Sequence, residues 1–244
     1  MTIGLVLAIA LGLIHGFASQ LPITQIVPMH RWTSFAGGVS IVYVFLEVFP
    51  ELAHAQKELV HAKLPLLQYL ENHIYIAAVI GLVVFYGLDL IAVRYRQQQS
   101  SLPQTSASNR QNLPFWIHLF AFASLNAITG YLLQSIEQHN LFVCILFFIT
   151  TALHFFIIDE KLREHYQSLY DRIGRWVLVG ALMTGAVIAQ VTHLSEVAIA
   201  VIWSFFAGSI ILNVLKRELP EANETCFNSF IVGVLLFAAL LNFK

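Results

Sequence analysis

The sequence predicts an all-α integral membrane protein. Eight transmembrane helices are expected in a bundle of three, two and three, with the outer threes forming an inverted repeat. Three observations predict it. First, 58% of the 244 residues are hydrophobic and 11% charged, with a mean hydropathy of +0.73, against roughly a quarter charged in a soluble domain. Second, the apolar residues gather into eight runs of about the length needed to cross ~30 Å of hydrocarbon. Third, a segment near the start of the chain reads again 170 residues later. The composition excludes a disordered chain and a solvated cytosolic enzyme. The net charge of −1 leaves no electrostatic footprint for nucleic acid.

The runs follow in order. Residues 3–21 have no basic flank before them, which reads as a first span rather than a cleavable signal. The others are 33–49, 74–93, 114–133, 141–158, 176–191, 197–215 and 227–241. None alternates with period two, and open strands would leave backbone groups unpaired in lipid, so each run is expected to be a helix. Cys144 and Cys226 lie within or beside these runs without metal or redox spacing and read as small hydrophobes.

Charge sets the orientation. With the N-terminus outside, the inside connections hold Arg31, Arg94, Arg96, Arg110, Lys161, Arg163, Arg172, Arg175, Lys216 and Arg217. Only Lys57, Lys63 and Lys244 fall outside. Positive residues favour the cytoplasmic side, so both termini are expected on the non-cytoplasmic side of the cell membrane. The chain divides into a first three-helix repeat (1–94), a mobile cytoplasmic loop (95–113), central helices 4 and 5 with an amphipathic extension (114–175), and a second three-helix repeat (176–244). The loop is low in complexity and poor in aliphatics. In the extension, Leu162, Tyr166, Leu169, Tyr170 and Ile173 keep helical spacing between charges.

The repeat pairs residues 34–51 with 204–221. Ser34, Phe35, Gly38, Ile41, Val44, Pro50 and Glu51 recur as Ser204, Phe205, Gly208, Ile211, Val214, Pro220 and Glu221. These segments lie in helices 2 and 7, five spans apart, and so run in opposite directions. That is the build of many secondary transporters, whose sites lie near the midplane at the repeat interface.

At these residues the chain resembles the ZIP (Zrt/Irt-like) metal transporters. Helix 2 of that family runs from a small-residue cluster to a Leu-Pro-Glu-like end, here Phe35-Ala36-Gly37-Gly38 to Phe49-Pro50-Glu51. Helix 7 has the same style, here Phe206-Ala207-Gly208 to Leu219-Pro220-Glu221. Eight spans, outside termini, the 3+2+3 layout and the loop after helix 3 agree with it. The resemblance covers most of the chain and is specific in helices 2 and 7. It implies a divalent metal transporter, with Zn²⁺ or another divalent cation as the ion bound and moved.

The motif helices depart from the family. Its helix 4 reads His-Asn-x-Pro-Glu-Gly, whereas here Leu125-Asn126-Ala127-Ile128-Thr129-Gly130 keeps Asn126 but places Leu125 and Thr129 at the ligand positions. Its helix 5 starts His-Glu and carries a carboxylate five residues after the His. Here His154 and Asp159 remain, while Phe155 and Ile157 replace the Glu and the Pro. The resemblance therefore implies metal ligation by Asn126, His154 and Asp159, with Glu47, His118 and Thr129 as further candidates. His154 and Asp159, five residues apart, do not share a helical stripe, so a common ion needs Asn126 from another helix. One imidazole, one carboxylate and one amide make a weak, permissive site, and protons compete with metal for the imidazole.

Two other readings of function stay open. A non-transporting ZIP-fold protein with a decayed metal site would act in regulation or partner binding. An intramembrane zinc hydrolase would need about three His and an activating carboxylate, but His15, His118, His154 and His193 fall on different helices without paired spacing. No catalytic set is expected. The expected partners are the lipid bilayer and the metal ion, with a homodimer left open. A solvated cap beside Lys161 and Arg163 is the competing reading of Asp159.

Overall fold

The computed structural model describes residues 2–17, 28–61, 73–100, 113–192, 194–218 and 226–242, and each element among them is helical. Helix α1 is Ile3–Phe17. Helix α2 covers 29–61, as Met29–Tyr43, a π turn Val44–Val48, and Phe49–His61. Helix α3 is His73–Ser100, α4 is Leu113–His139 and α5 is Leu141–Leu169. A second π turn, Tyr170–Gly174, leads into α6, Arg175–Val191. Helix α7 covers 196–218, as Glu196–Asn213 and a third π turn Val214–Glu218. Helix α8 is Phe227–Asn242.

Five helices are long and apolar enough to cross a membrane: His30–Lys57, His73–Arg94, Leu113–Glu137, Leu141–Val191 (which contains α5 and α6) and Glu196–Lys216. Helices α1 and α8 are shorter and apolar. Large apolar side chains also face outward, among them Phe120 at 70% and Val191 at 76% exposure. Both features are compatible with a helical membrane protein. Residues 18–21 of the expected first run, the loop residues 101–112, His193, Pro220 and Glu221 lie outside the described residues. Helix α3 runs on to Ser100, six residues into the stretch expected to be loop. Arg94, Arg96 and three glutamines there are good helix formers with no breaker among them. The expected extension of α5 is present and ends at a break, where Gln167 takes φ 43°.

The first π turn has a local cause. A proline has no N–H to bond residue i−4 and its ring presses on that carbonyl. Pro50 is four residues beyond Leu46, inside that turn. A wider turn relieves the contact.

Helix contacts sort into two groups. Helices α1, α4, α5 and α6 pack with one another, as do α2, α3, α7 and α8. The groups meet where α3 packs on α4, α2 on α5 and α7 on α4. Within them, three pairs of helices touch backbone to backbone through reciprocal glycines. A Cβ on Gly38 would stand 2.3 Å from the Phe230 carbonyl oxygen, and one on Gly233 would stand 2.2 Å from that of Phe35. The α3–α7 pair repeats this, with Gly208 at 1.8 Å from the Ala78 oxygen and Gly81 at 2.0 Å from that of Phe205. Gly130 and Gly185 join α4 to α6, at 2.0 Å from the Leu182 oxygen and 1.8 Å from the Ala127 oxygen. Such approaches leave no room for a Cβ and are how helices gain contact where lipid offers no hydrophobic drive.

Helix α1 is clamped at both ends by other helices. The Glu137 carboxylate of α4 accepts from the backbone N–H groups of Ile3 (2.9 Å) and Gly4 (2.7 Å). At the other end, Arg175 Nη1 donates to the Gly16 carbonyl (3.0 Å). A carboxylate at the N-terminus and a cation at the C-terminus also answer the helix dipole.

Valine at Gly38 or Gly208 is expected to cost about 1–3 kcal/mol or more, as overpacking against rigid backbone does. Alanine at Gly180, where a Cβ meets nothing within 4 Å, is expected to leave the melting temperature unchanged or slightly raised. Thermal unfolding in detergent micelles measures all three.

Candidate functional site

A line of polar side chains runs through the bundle where the two helix groups meet. At one end is a vestibule of about 650 Å³, between the second half of α2, the α4–α5 junction and the start of α7. Glu47, Glu51, His54 and Glu196 line it, with Ser135 and Asn140. This is the wide end. Tyr43 and Phe147 line both the vestibule and a central cavity of about 30 Å³, and so form the partition between them.

The central cavity has room for a water or a bare ion. Its polar lining comes from three helices: Ser40 of α2, Asn126 and Thr129 of α4, and Thr150, Thr151 and His154 of α5, with the apolar wall completed by residues of α7 such as Phe206 and Ile210. Thr129 is fully buried, and its hydroxyl has no hydrogen-bond partner among the described residues. Beyond Phe122, which also lines this cavity, lies a narrow end of about 20 Å³ beside Asp89, His118, Asn213 and Lys216.

Next to the cavity is a fully buried bridge. His15 Nε2 meets Asn126 Oδ1 at 2.8 Å, and His15 Nδ1 meets Asp159 Oδ1 at 2.7 Å. The side-chain amide of Asn126 donates to the Phe122 carbonyl at 2.8 Å. That turns its oxygen toward His15, so Nε2 is the nitrogen that donates there. Nδ1 then faces the Asp159 carboxyl across a single short contact. The Tyr170 hydroxyl donates to the same Asp159 oxygen. Phe155 covers the imidazole at 4.3 Å between ring centroids. Asp159 Oδ2 is buried without a partner among the described residues.

The structure therefore brings Asn126, Thr129 and His154 to one cavity, and joins Asn126 to Asp159 through His15. Asp159 does not line the cavity and is 0% exposed, which overturns its reading as a solvated cap. Glu47 faces the vestibule, and His118 pairs with Asp89 at the narrow end. Among the described residues no group of three or more His, Cys, Asp or Glu stands close enough to hold a metal ion. His15 is the residue that motif spacing missed. The signal was present, because an ionisable side chain within an apolar run is costly unless a partner meets it. Comparison with known proteins finds no matching family model, no matching curated protein and no matching solved structure.

Replacing His15 by Ala strands the Asp159 carboxylate in the interior and is expected to cost about 3–5 kcal/mol. The double variant His15→Ala, Asp159→Ala removes both partners and is expected to lose less than the sum of the single changes. Denaturant unfolding in mixed micelles gives the four values. Strict additivity would contradict the coupling.

Proposed function

We propose that this chain is a ZIP-like transporter of a divalent metal ion such as Zn²⁺. It is a multi-pass protein of the cell membrane with eight spans arranged 3+2+3. The observation that carries the reading is the continuous order of polar groups between the two helix groups. An acidic vestibule leads to a central cavity with an imidazole and an amide, and then to a second ionisable cluster. Ionisable groups are expensive at membrane depth and mark solute paths.

The inverted repeat is supported by register. The π turns Val44–Val48 and Val214–Glu218 stand 170 residues apart, the offset of the sequence match. Gly38 approaches Phe230 and Val234, and Gly208 approaches Ala78 and Leu82. The same 170 relates the glycines, and 152 relates both partners. One pairing scheme thus serves α2 with α8 and α7 with α3, as two inverted halves would require. The distribution of Lys and Arg supports both termini, and with them the wide end, on the non-cytoplasmic side.

In this reading Asn126 and His154 meet the ion in the cavity. Asp159 joins them only when it leaves His15, and water fills the remaining positions. A second reading, a ZIP-fold protein with a decayed site acting in regulation or partner binding, is favoured by one observation. One Asp159 oxygen is already engaged by His15 and Tyr170, and the carboxylate does not line the cavity.

The two readings separate in purified protein. Transport predicts bound Zn²⁺ after dialysis and saturable uptake of labelled Zn²⁺ into proteoliposomes. His154→Ala or Asn126→Ala is expected to reduce that uptake by about tenfold, the worth of ~1.4 kcal/mol of ligation. Absence of bound metal and of uptake would leave the second reading. Epitope tags at both ends are expected to react with an impermeant reagent on intact cells; protection of either would overturn the orientation.

A further inference from the structure

At the narrow end a hydrogen bond to a buried carboxylate joins the two helix groups. Asp89 of α3 is buried. One of its oxygens accepts from Lys216 Nζ of α7, and the other accepts from His118 Nε2–H of α4 at 3.2 Å. His118 Nδ1 in turn meets the Tyr166 hydroxyl of α5 at 2.7 Å. Lys216 also lies over the Tyr86 ring, 5.2 Å from its centroid. Asp89 and Lys216 belong to one helix group, His118 and Tyr166 to the other. The His118–Asp89 bond therefore spans the seam along which the passage runs. Lys216 holds the carboxylate in place for it.

The opposite end differs in kind. It opens as the 650 Å³ vestibule, and beside it a crevice of about 480 Å³ lies between α2 and the end of α8. The repeat offsets carry Lys216 to Leu46 and Asp89 to Leu241, and both leucines line that crevice. Neither side chain can form an ion pair. The two halves of the repeat thus share their packing but not this contact.

We propose that Asp89, fixed by Lys216 and gripped by His118, is a latch that holds the cytoplasmic end of the passage shut. At the repeat-related positions of the other end, Leu46 and Leu241, there is no matching latch. The proposal rests on the transporter reading and its orientation. It assigns a gating role to residues that stand apart from the cavity. Breaking a contact made in only one of two states shifts the population toward the other by the free energy lost. Loss of the latch therefore favours a form open to the cytoplasm.

Thiol accessibility tests this without any metal. Cys144 and Cys226 are replaced by Ser, and a single cysteine is placed at Leu212, at the narrow end, or at Ser135, in the vestibule. An impermeant maleimide is applied to membranes of each orientation. With Asp89→Asn or His118→Phe, labelling of Leu212→Cys from the cytoplasmic side is expected to rise about tenfold, while labelling of Ser135→Cys from the other side falls. Asp89→Glu, which keeps the carboxylate, is expected to stay close to the parent protein. Unchanged labelling at Leu212→Cys, or a rise at both ends, overturns the latch. If the labelling shifts as expected but the parent protein takes up no Zn²⁺, the transport reading fails and the latch stands. Zn²⁺ uptake with unmoved labelling gives the reverse.

Discussion

Helices that expose apolar faces to lipid gain nothing by hiding them from water, so their association has to come from close contact. Here that contact is made where two glycines face each other across a helix pair. Gly38 with Gly233, Gly81 with Gly208 and Gly130 with Gly185 bring backbones within reach of one another. Two of these pairs build the group α2, α3, α7, α8, and the third builds the group that holds the bridge. The seam between the groups is consequently the place where packing is not fixed by glycine. The cavities, the partition at Tyr43 and Phe147, and the ionisable clusters all lie along it or next to it.

The buried polar groups obey the complementary constraint, that hydrocarbon supplies no partners. Asp159 is matched by His15 and Tyr170, and Asp89 by Lys216 and His118. Each carboxylate is held by one basic partner and one further donor, and each cluster joins three or more helices. The clusters differ in where they sit. His15, Asn126, Asp159 and Tyr170 lie within one helix group and stiffen it. The Asp89 cluster crosses between groups, so its bonds resist relative motion.

Much of this was legible in the sequence, and the exceptions have physical causes. Eight apolar runs return as helices wherever they are described, because run length and the lack of period-two alternation leave no other way to satisfy the backbone in lipid. Gly38 and Gly208 make close backbone contacts, and each is followed by a π turn, Val44–Val48 and Val214–Glu218. Asn126, Thr129 and His154, named from the sequence as candidates, line one cavity, while Asp159 does not. The partner of Asp159 was not legible. His15 sits 144 residues away, and no periodicity connects a residue near the end of α1 to one in α5; only packing does. The latch was hidden for the same reason, since Asp89, His118 and Lys216 come from three helices. The end of α3 was misjudged because a polar, low-complexity stretch can still be helical when it is rich in Arg and Gln.

In the transport reading proposed above, the two helix groups move against each other and expose the cavity alternately to each side. Paired spin labels measure this most directly. One pair is placed across the wide end at His54 and Asn140, and another across the narrow end at Trp116 and Leu215. Two distance populations are expected at each end. The wide end should be short when the narrow end is long, and Zn²⁺ should change the ratio. A single distance at both ends, the same with and without Zn²⁺, would contradict it.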